Sequence, residues 1–583
     1  MRTTSCLLLL LSAPLWAAHV AGRVTDARTG RVIPCTVAIR TSDGHVLTNH
    51  PSFRGGMRTP GTFDAEAPAG VTTVRVTRGF DYEPAEQKFV LAAGERRELR
   101  FALRRRSPLS RVGWVAGDSH VHMIHGERTI IVTFEDVALA ARAEGLDYLS
   151  LCQRWNLPEE TPEAIQAACR RASSPDFTLA WNLEAPKNYW RGDVAHCAGH
   201  GWTLGMRGRT PDGRNAIAEL LELSAWDYES DKPPVPNFES HALIHALGGI
   251  VSYTHPHRWH IGTWGGRGIY PVDERHFISN LAQELPFDTV TGPTYDMLDI
   301  MMQPRETEVN RRAQELWFTL LNHGYRLPAT TSSDTTFDNP GGGVPGRVRV
   351  YTRTGGDAAP SAVAAAVKAG RNFVSSGPLL LLEIGGRQVG DVVRAPARMQ
   401  GVARAWGAVK VEIVRNGAVI HTLAGEGGRF PVNEPGTAWY IARCYGPAEG
   451  DVAVTNPIYF EGADYRAPAA APARVTATVE DESGRPLSGV CEVIRMVGKD
   501  AVKLSEVRFE GGRLALTCPA TARLRVRAPG HAAVTRSIFM DYAPLLDTML
   551  EMRAEALSDW ATYEKIRALL GAVRLDFRLP PQP

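Results

Sequence analysis

Residues 113–126 read GWVAGDSHVHMIHG. The apolar run Val112, Trp114, Val115 and Ala116 has the character of a buried strand. It ends in Gly117 and Asp118, and His120 and His122 follow with one residue between them. Side chains two apart on an extended chain share a face, so both imidazoles can point at one ion. Imidazole is the commonest side-chain ligand of zinc-like metals. A core or surface pair of histidines without a metal is the competing reading. A carboxylate and further histidines, supplied from elsewhere in the chain, would separate the two.

The chain has 583 residues, which implies roughly three to five domains. Hydrophobic residues make up 44% and charged residues 22%, the balance of soluble domains with proper cores. The formal net charge is +2, and the short run Arg104, Arg105, Arg106 is too small for a phosphate-backbone footprint. Nucleic acid is therefore not an expected partner. Eight cysteines are present, none in a Cys-x-x-Cys pair. Cysteine is thus not the expected metal-site chemistry, and a bridge between Cys491 and Cys518 is left open.

Arg2, the apolar run from Cys6 to Leu11 and the small residues Ala17 and Ala18 have the layout of an export signal over residues 1–18. The run is too short to span a bilayer, and no other stretch has about 18 unbroken apolar residues. The expectation is a secreted or periplasmic bacterial protein without a transmembrane segment.

Residues 19–108 alternate in the manner of strands, as in VAGRVTD (20–26) and CTVAI (35–39), and predict a small β-sandwich. The pattern returns in RVTATV (474–479), EDESGRP (480–486) and GVCEVI (489–494), an internal repeat that predicts a second sandwich over 470–552. The Ala/Pro-rich run 467–473 links it to what precedes. Residues 379–466 predict another β-sandwich. Residues 555–583 predict an amphipathic helix from Ser558 to Val573 and a tail.

Between these lies a segment, 109–378, in which strands and helices alternate. Helices are predicted over 133–145, 161–171, 238–247 and 304–322, and strands over 147–151, 177–183, 250–254 and 326–331. Repeated β-α units give a parallel sheet or barrel with ligand sites at the carboxyl ends of the strands. Those ends carry GDSHVH (117–122), Glu184 in LAWNLE, His255 and His257 in IVSYTHPH, and Asp334 in PATTSSD, with His200 in GHGWTLG shortly after Glu184.

On these motifs, in this order, the segment resembles the PHP (polymerase and histidinol phosphatase) superfamily, in its CehA/McbA-type metallohydrolase branch. AVKAGRNFVSSGPLL (366–380) and RCYG with TNPIYFEG (443–462) also resemble that branch. The sandwiches resemble carboxypeptidase regulatory-like domains. The resemblance implies a distorted seven-stranded β/α barrel with divalent metals at its mouth. By matching position His120, His122, Glu184 and Asp334 would hold one ion. Glu184, His200 and His255 would hold a second, with Glu184 shared, and His257 would orient substrate or support the ligands. Zinc, manganese, iron and nickel all suit this donor set. The implied activity is hydrolysis of a small-molecule ester, carbamate, amide or phosphoester by metal-activated water.

The sequence departs from the family at the positions of a third metal. Where a Thr-Asp-His triplet is usual it has Cys152, Gln153 and Arg154, and Arg128 and Thr336 stand where histidines are usual. Two metals are therefore expected, with Arg154 standing in as a fixed cation for substrate orientation and charge stabilisation. A surface or salt-bridged Arg154 is the alternative. The aromatic residues Trp155, Tyr189, Trp190, Trp202, Trp259 and Trp264 are candidates to line a pocket. The competing function is a catalytically silent binding protein that keeps the barrel between surface- or glycan-binding sandwiches.

Overall fold

The computed structural model describes residues 17–125, 130–153, 161–190, 196–224, 235–260, 278–302, 304 and 307–582. The chain is mixed α/β and divides into two compact units.

The first unit comprises residues up to Pro108 together with Met123–Leu146 and Thr335–Pro345. Its first strand, Ala17–Asp26, pairs antiparallel with Thr62–Pro68 and parallel with Arg96–Leu103. A second sheet has the order Met57–Thr59, Cys35–Arg40, Gly70–Thr77, Ala85–Leu91. The inward residues of both sheets, among them Val20, Val24, Val37, Ile39, Val74 and Val76, form one core, as the period-2 alternation predicts. The helix Phe134–Ala143 belongs to this unit. Thr133 and Asp136 close a capping box at its start. The following Glu144 accepts hydrogen bonds from Arg58 (3.1 Å) and Thr36 (2.9 Å) of the sandwich.

The second unit holds the rest of the α/β segment and everything after it. Trp114–His122, Tyr148–Gln153 and Thr178–Leu183 pair in parallel. So do Ile250–Thr254, Met297–Asp299 and Ala329–Thr330 in a second sheet, which His196–Leu204 joins antiparallel. The expected seven-stranded barrel is not one continuous backbone ladder among the described residues. At two seams side chains make the bonds instead. Thr203 Oγ1 accepts from the Leu183 amide at 3.1 Å. Asn372 and Asn456 each donate to the Ala329 carbonyl, and Asn456 Oδ1 accepts from the Ala329 amide at 2.7 Å. An amide side chain satisfies backbone groups that a missing ladder would leave buried and unpaired.

Residues 379–466 are less separate than the sequence pattern predicts. Val452–Thr455, Ala438–Tyr445, Lys410–Arg415 and Ala418–Ala424 continue the sheet of Trp114–His122 through Asn372–Ser375. Ile458–Glu461 and Val392–Arg394 join that sheet beside Ala438–Tyr445, and the remaining four strands form a sheet ordered Arg387–Gln388, Leu379–Ile384, Ala397–Trp406, Gly427–Glu434.

The internal repeat is visible in the strand pairing. Pro472–Asp481 pairs antiparallel with Arg513–Pro519 and parallel with Val573–Leu579, the same pattern as the first strand of the first sandwich. The closing strand follows the helix Trp560–Leu570, so the last residues complete the sandwich and are not a tail. That helix buries Tyr563, Ile566 and Leu570. Cys491 and Cys518 are buried free thiols. No helix among the described residues is long and apolar enough to cross a membrane.

The second sandwich is tied to the α/β part by an ion pair. Arg523 donates to both oxygens of Glu239 at 2.7 and 2.6 Å, and Glu239 is buried in the helix Asn237–Ala246. Removing one partner of a buried pair strands the other charge. Arg523→Met should therefore destabilise the chain by about 3 kcal/mol. Arg523→Met with Glu239→Gln should cost clearly less, and denaturant unfolding of the two variants reads the difference.

Candidate metal centre

The GDSHVH strand is buried along its whole length. Gly117 is there because the Tyr148 ring lies where a Cβ would be, 1.9 Å from it. Asp118 turns back into the protein. Its carboxylate accepts from the amides of Gly346 (2.8 Å), Ser333 (3.2 Å) and His120 (3.4 Å), tying the histidine strand to the segment that carries Asp334. Burial pushes the Asp118 carboxyl up, against those hydrogen bonds.

His120 and His122 face the same way, with their Nε2 atoms 3.0 Å apart. Asp334 Oδ1 lies 3.5 Å from His120 Nε2 and 3.4 Å from His122 Nε2. Glu184 directly follows the strand Thr178–Leu183. Its Oε1 is 3.0 Å from His200 Nδ1 and 3.9 Å from His120 Nε2, and its Oε2 is 3.7 Å from His122 Nε2. His255 follows the strand Ile250–Thr254, and its ring centre is 4.8 Å from that of His200. Ligand atoms of His120, His122 and Asp334 fall within 4.8 Å of one another, as do those of Glu184, His200 and His255. Six residues from five chain segments thus meet in two adjoining triads, and Glu184 touches both.

The backbone supports the same focus. His255 (φ 34°) and Asp334 (φ 49°) adopt left-handed conformations. Such strain costs about 1–3 kcal/mol per residue and persists where surrounding structure imposes it, often at functional sites. Gly199, before His200, has φ 122°, and a Cβ there would lie 2.7 Å from the Tyr253 ring.

Burial pushes the His120 imidazole down to about 4 and His200 down to about 3, so both are neutral, with a nitrogen lone pair, near pH 7. Burial acts the other way on Glu184, but the Lys187 ammonium and His200 outweigh it and hold the carboxyl well below its usual range.

Lys187 is a residue that sequence reasoning missed. It is buried, its Nζ lies 3.3 and 3.4 Å from the two Glu184 oxygens, and in the sheet it stands opposite His200. No motif marks it. It follows Glu184 by three residues, and the antiparallel pairing of Lys187–Trp190 with His196–Leu204 sets it beside the second triad.

Asp299 is a second such residue. It is fully buried at the end of Met297–Asp299 and accepts from Thr254 (2.7 Å), Ser332 (2.6 Å) and Trp202 (3.0 Å). Burial pushes its carboxyl up to about 6. Trp202, one of the aromatic pocket candidates, is therefore spent on an internal bond.

His257 is buried, but the charges that bear on it are Arg312 and Glu555, and burial pushes it down to about 4. Neither triad includes it. Arg154 and Arg128 lie outside the described residues, as do Trp155 and Trp264 and the side chains of Tyr189, Trp190 and Trp259. Cys152 is buried, and burial pushes its thiol well up.

No family model matches the chain, and no curated protein matches it. Among solved structures, one similar chain is a two-domain protein from Bacteroides vulgatus containing a predicted PHP-like metal-dependent phosphoesterase. It is 12% identical, with 59% of this chain and 94% of that chain covered, at a TM-score of 0.30. The major pilin subunit of Bacillus cereus is 7% identical over 97% of this chain and 100% of that chain, at a TM-score of 0.19. A β-glucuronidase of Bacteroides uniformis is 11% identical over 89% of this chain and 76% of that chain, at a TM-score of 0.17. At these scores the overlaps decide neither fold nor activity.

Proposed function

We propose that the chain is an exported metal-dependent hydrolase of the PHP type, in the CehA/McbA-like branch, acting on an ester, carbamate, amide or phosphoester of a small molecule. The observation that carries this reading is the meeting of His120, His122, Asp334, Glu184, His200 and His255 in two adjoining triads. Four imidazoles and two carboxylates are a donor set that divalent zinc, manganese, iron or nickel accepts. His120, His122 and Asp334 would hold one ion and His200 and His255 the other, with Glu184 shared. Divalent ions held there would supply Lewis acidity toward a carbonyl or phosphoryl oxygen and would acidify water.

The chain's own residues do the rest. Asp118 fixes the histidine strand to the Asp334 segment. Lys187 places a positive charge on the shared carboxylate, within reach of an anionic group of a substrate. Arg154 keeps its proposed role as a second cation. Export rests on the N-terminal apolar run.

The test is metal analysis of the purified chain, followed by a screen of aryl phosphate, aryl carboxyl ester and aryl carbamate substrates. The expected result is about two ions per chain and turnover of one class that chelation abolishes and added metal restores. Bound metal without turnover of any class would favour the silent binding protein. A chain that binds no divalent metal would end the proposal.

A further inference from the structure

We propose that Asp299 is a positioning residue that fixes the tautomer of His120, and so makes its Nε2 a lone-pair donor before any metal arrives. The inference rests on the reading of His120 as a ligand and concerns a layer behind it that the family resemblance does not assign.

A carboxylate only accepts hydrogen bonds. Thr254 Oγ1 donates to Asp299 Oδ2 at 2.7 Å, and Ser332 Oγ donates to the same oxygen at 2.6 Å. Trp202 Nε1 adds a third donor at 3.0 Å. Each hydroxyl has one proton, so both protons are spent on Asp299. What Thr254 and Ser332 turn toward His120 Nδ1, at 3.3 and 3.4 Å, is lone pairs.

The proton in that contact must therefore sit on Nδ1. Neutral imidazole carries one N–H, which leaves Nε2 bare, facing His122 Nε2 at 3.0 Å and Asp334 Oδ1 at 3.5 Å. Groups behind a ligand set its tautomer and orientation, and their loss typically weakens metal binding about 10–100-fold. Here the carboxylate acts through two hydroxyls. One comes from the strand that leads to His255 and the other from the segment that leads to Asp334. The same three residues therefore connect His120 to elements of both triads.

The experiment uses the full metal-free chain, labelled with 15N-histidine, in long-range 1H–15N correlation spectra. His120 is assigned by the signals lost in His120→Gln. The expected result is an Nδ1-protonated His120. The double variant Thr254→Val with Ser332→Ala should show mixed tautomers and bind one Zn2+ about 10–100-fold more weakly in chelator competition, with the other ion retained. Thr254→Ser, which keeps the hydroxyl, should match wild type in both readouts.

An Nε2-protonated His120 in the wild-type chain overturns the inference whatever the metal content. Equal loss of both ions in a folded double variant overturns it too. Should the double variant fail to fold, the wild-type tautomer decides alone. An Nδ1-protonated His120 in a chain that binds no Zn2+ upholds the inference and removes the hydrolase reading.

Discussion

Glu184→Gln is expected to strip the chain of metal more completely than loss of any one histidine. Its two oxygens lie 3.0 Å from His200, 3.7 Å from His122 and 3.9 Å from His120, so the change reaches both triads. An amide has no charge and turns an N–H₂ group toward one of the ions. The loss in affinity should exceed the roughly 10–100-fold caused by removing an outer-shell partner. Metal content should fall from about two ions to under one per chain. The rival account makes Glu184 only the counter-ion of Lys187. It predicts a lower melting temperature with metal content unchanged, so both quantities measured on one preparation separate the two.

Lys187→Met should destabilise the metal-free protein while strengthening metal binding. Without metal, Lys187 is the ammonium that compensates the buried Glu184 carboxylate at 3.3 and 3.4 Å. Removing it strands a buried charge, which costs about 3–5 kcal/mol. Divalent ions supply the missing positive charge, so excess metal should restore most of that stability. By the same electrostatics the variant should bind metal more tightly, by about tenfold or more. Turnover of an anionic substrate should fall through a higher KM. Melting curves with and without chelator read the first effect and metal competition reads the second. A variant equally destabilised in both states would reduce Lys187 to a packing residue.

Much of the fold was legible because its signals are local. Period-2 alternation marked both sandwiches, and the echo of residues 20–39 in 474–494 predicted a repeat that the strand pairing shows. Helix caps and glycine stops placed the five expected helices to within a few residues, whereas Ala216–Leu223, Leu285–Val290, Pro360–Lys368 and Ala543–Leu550 were not anticipated. Less legible was which elements share a sheet. The strands of 379–466 alternate like those of an independent sandwich, yet several extend the sheet of the histidine strand. Pairing partners are set by packing between distant segments, and alternation carries no record of them. The closing strand Val573–Leu579 was missed for the same reason, since a helix separates it from the strands it joins.

At the candidate centre the division is sharper. The sequence by itself nominated the candidate donors, because imidazoles and carboxylates fall at the predicted strand ends in the order of the family that the segment resembles. His120, His122, Glu184, His200, His255 and Asp334 could all be named before any coordinates, and the structure brings them together. His257 is buried but belongs to neither triad. Only the tertiary structure decided what stands behind and beside the donors. Lys187 and Asp299 sit in ordinary-looking strands and have no motif. Their importance comes from burial beside their partners, Glu184 only three residues before Lys187 and the Thr254 and Ser332 hydroxyls far along the chain from Asp299. A charge or hydrogen bond gains its strength from loss of water, and where water is excluded is a property of the packed fold.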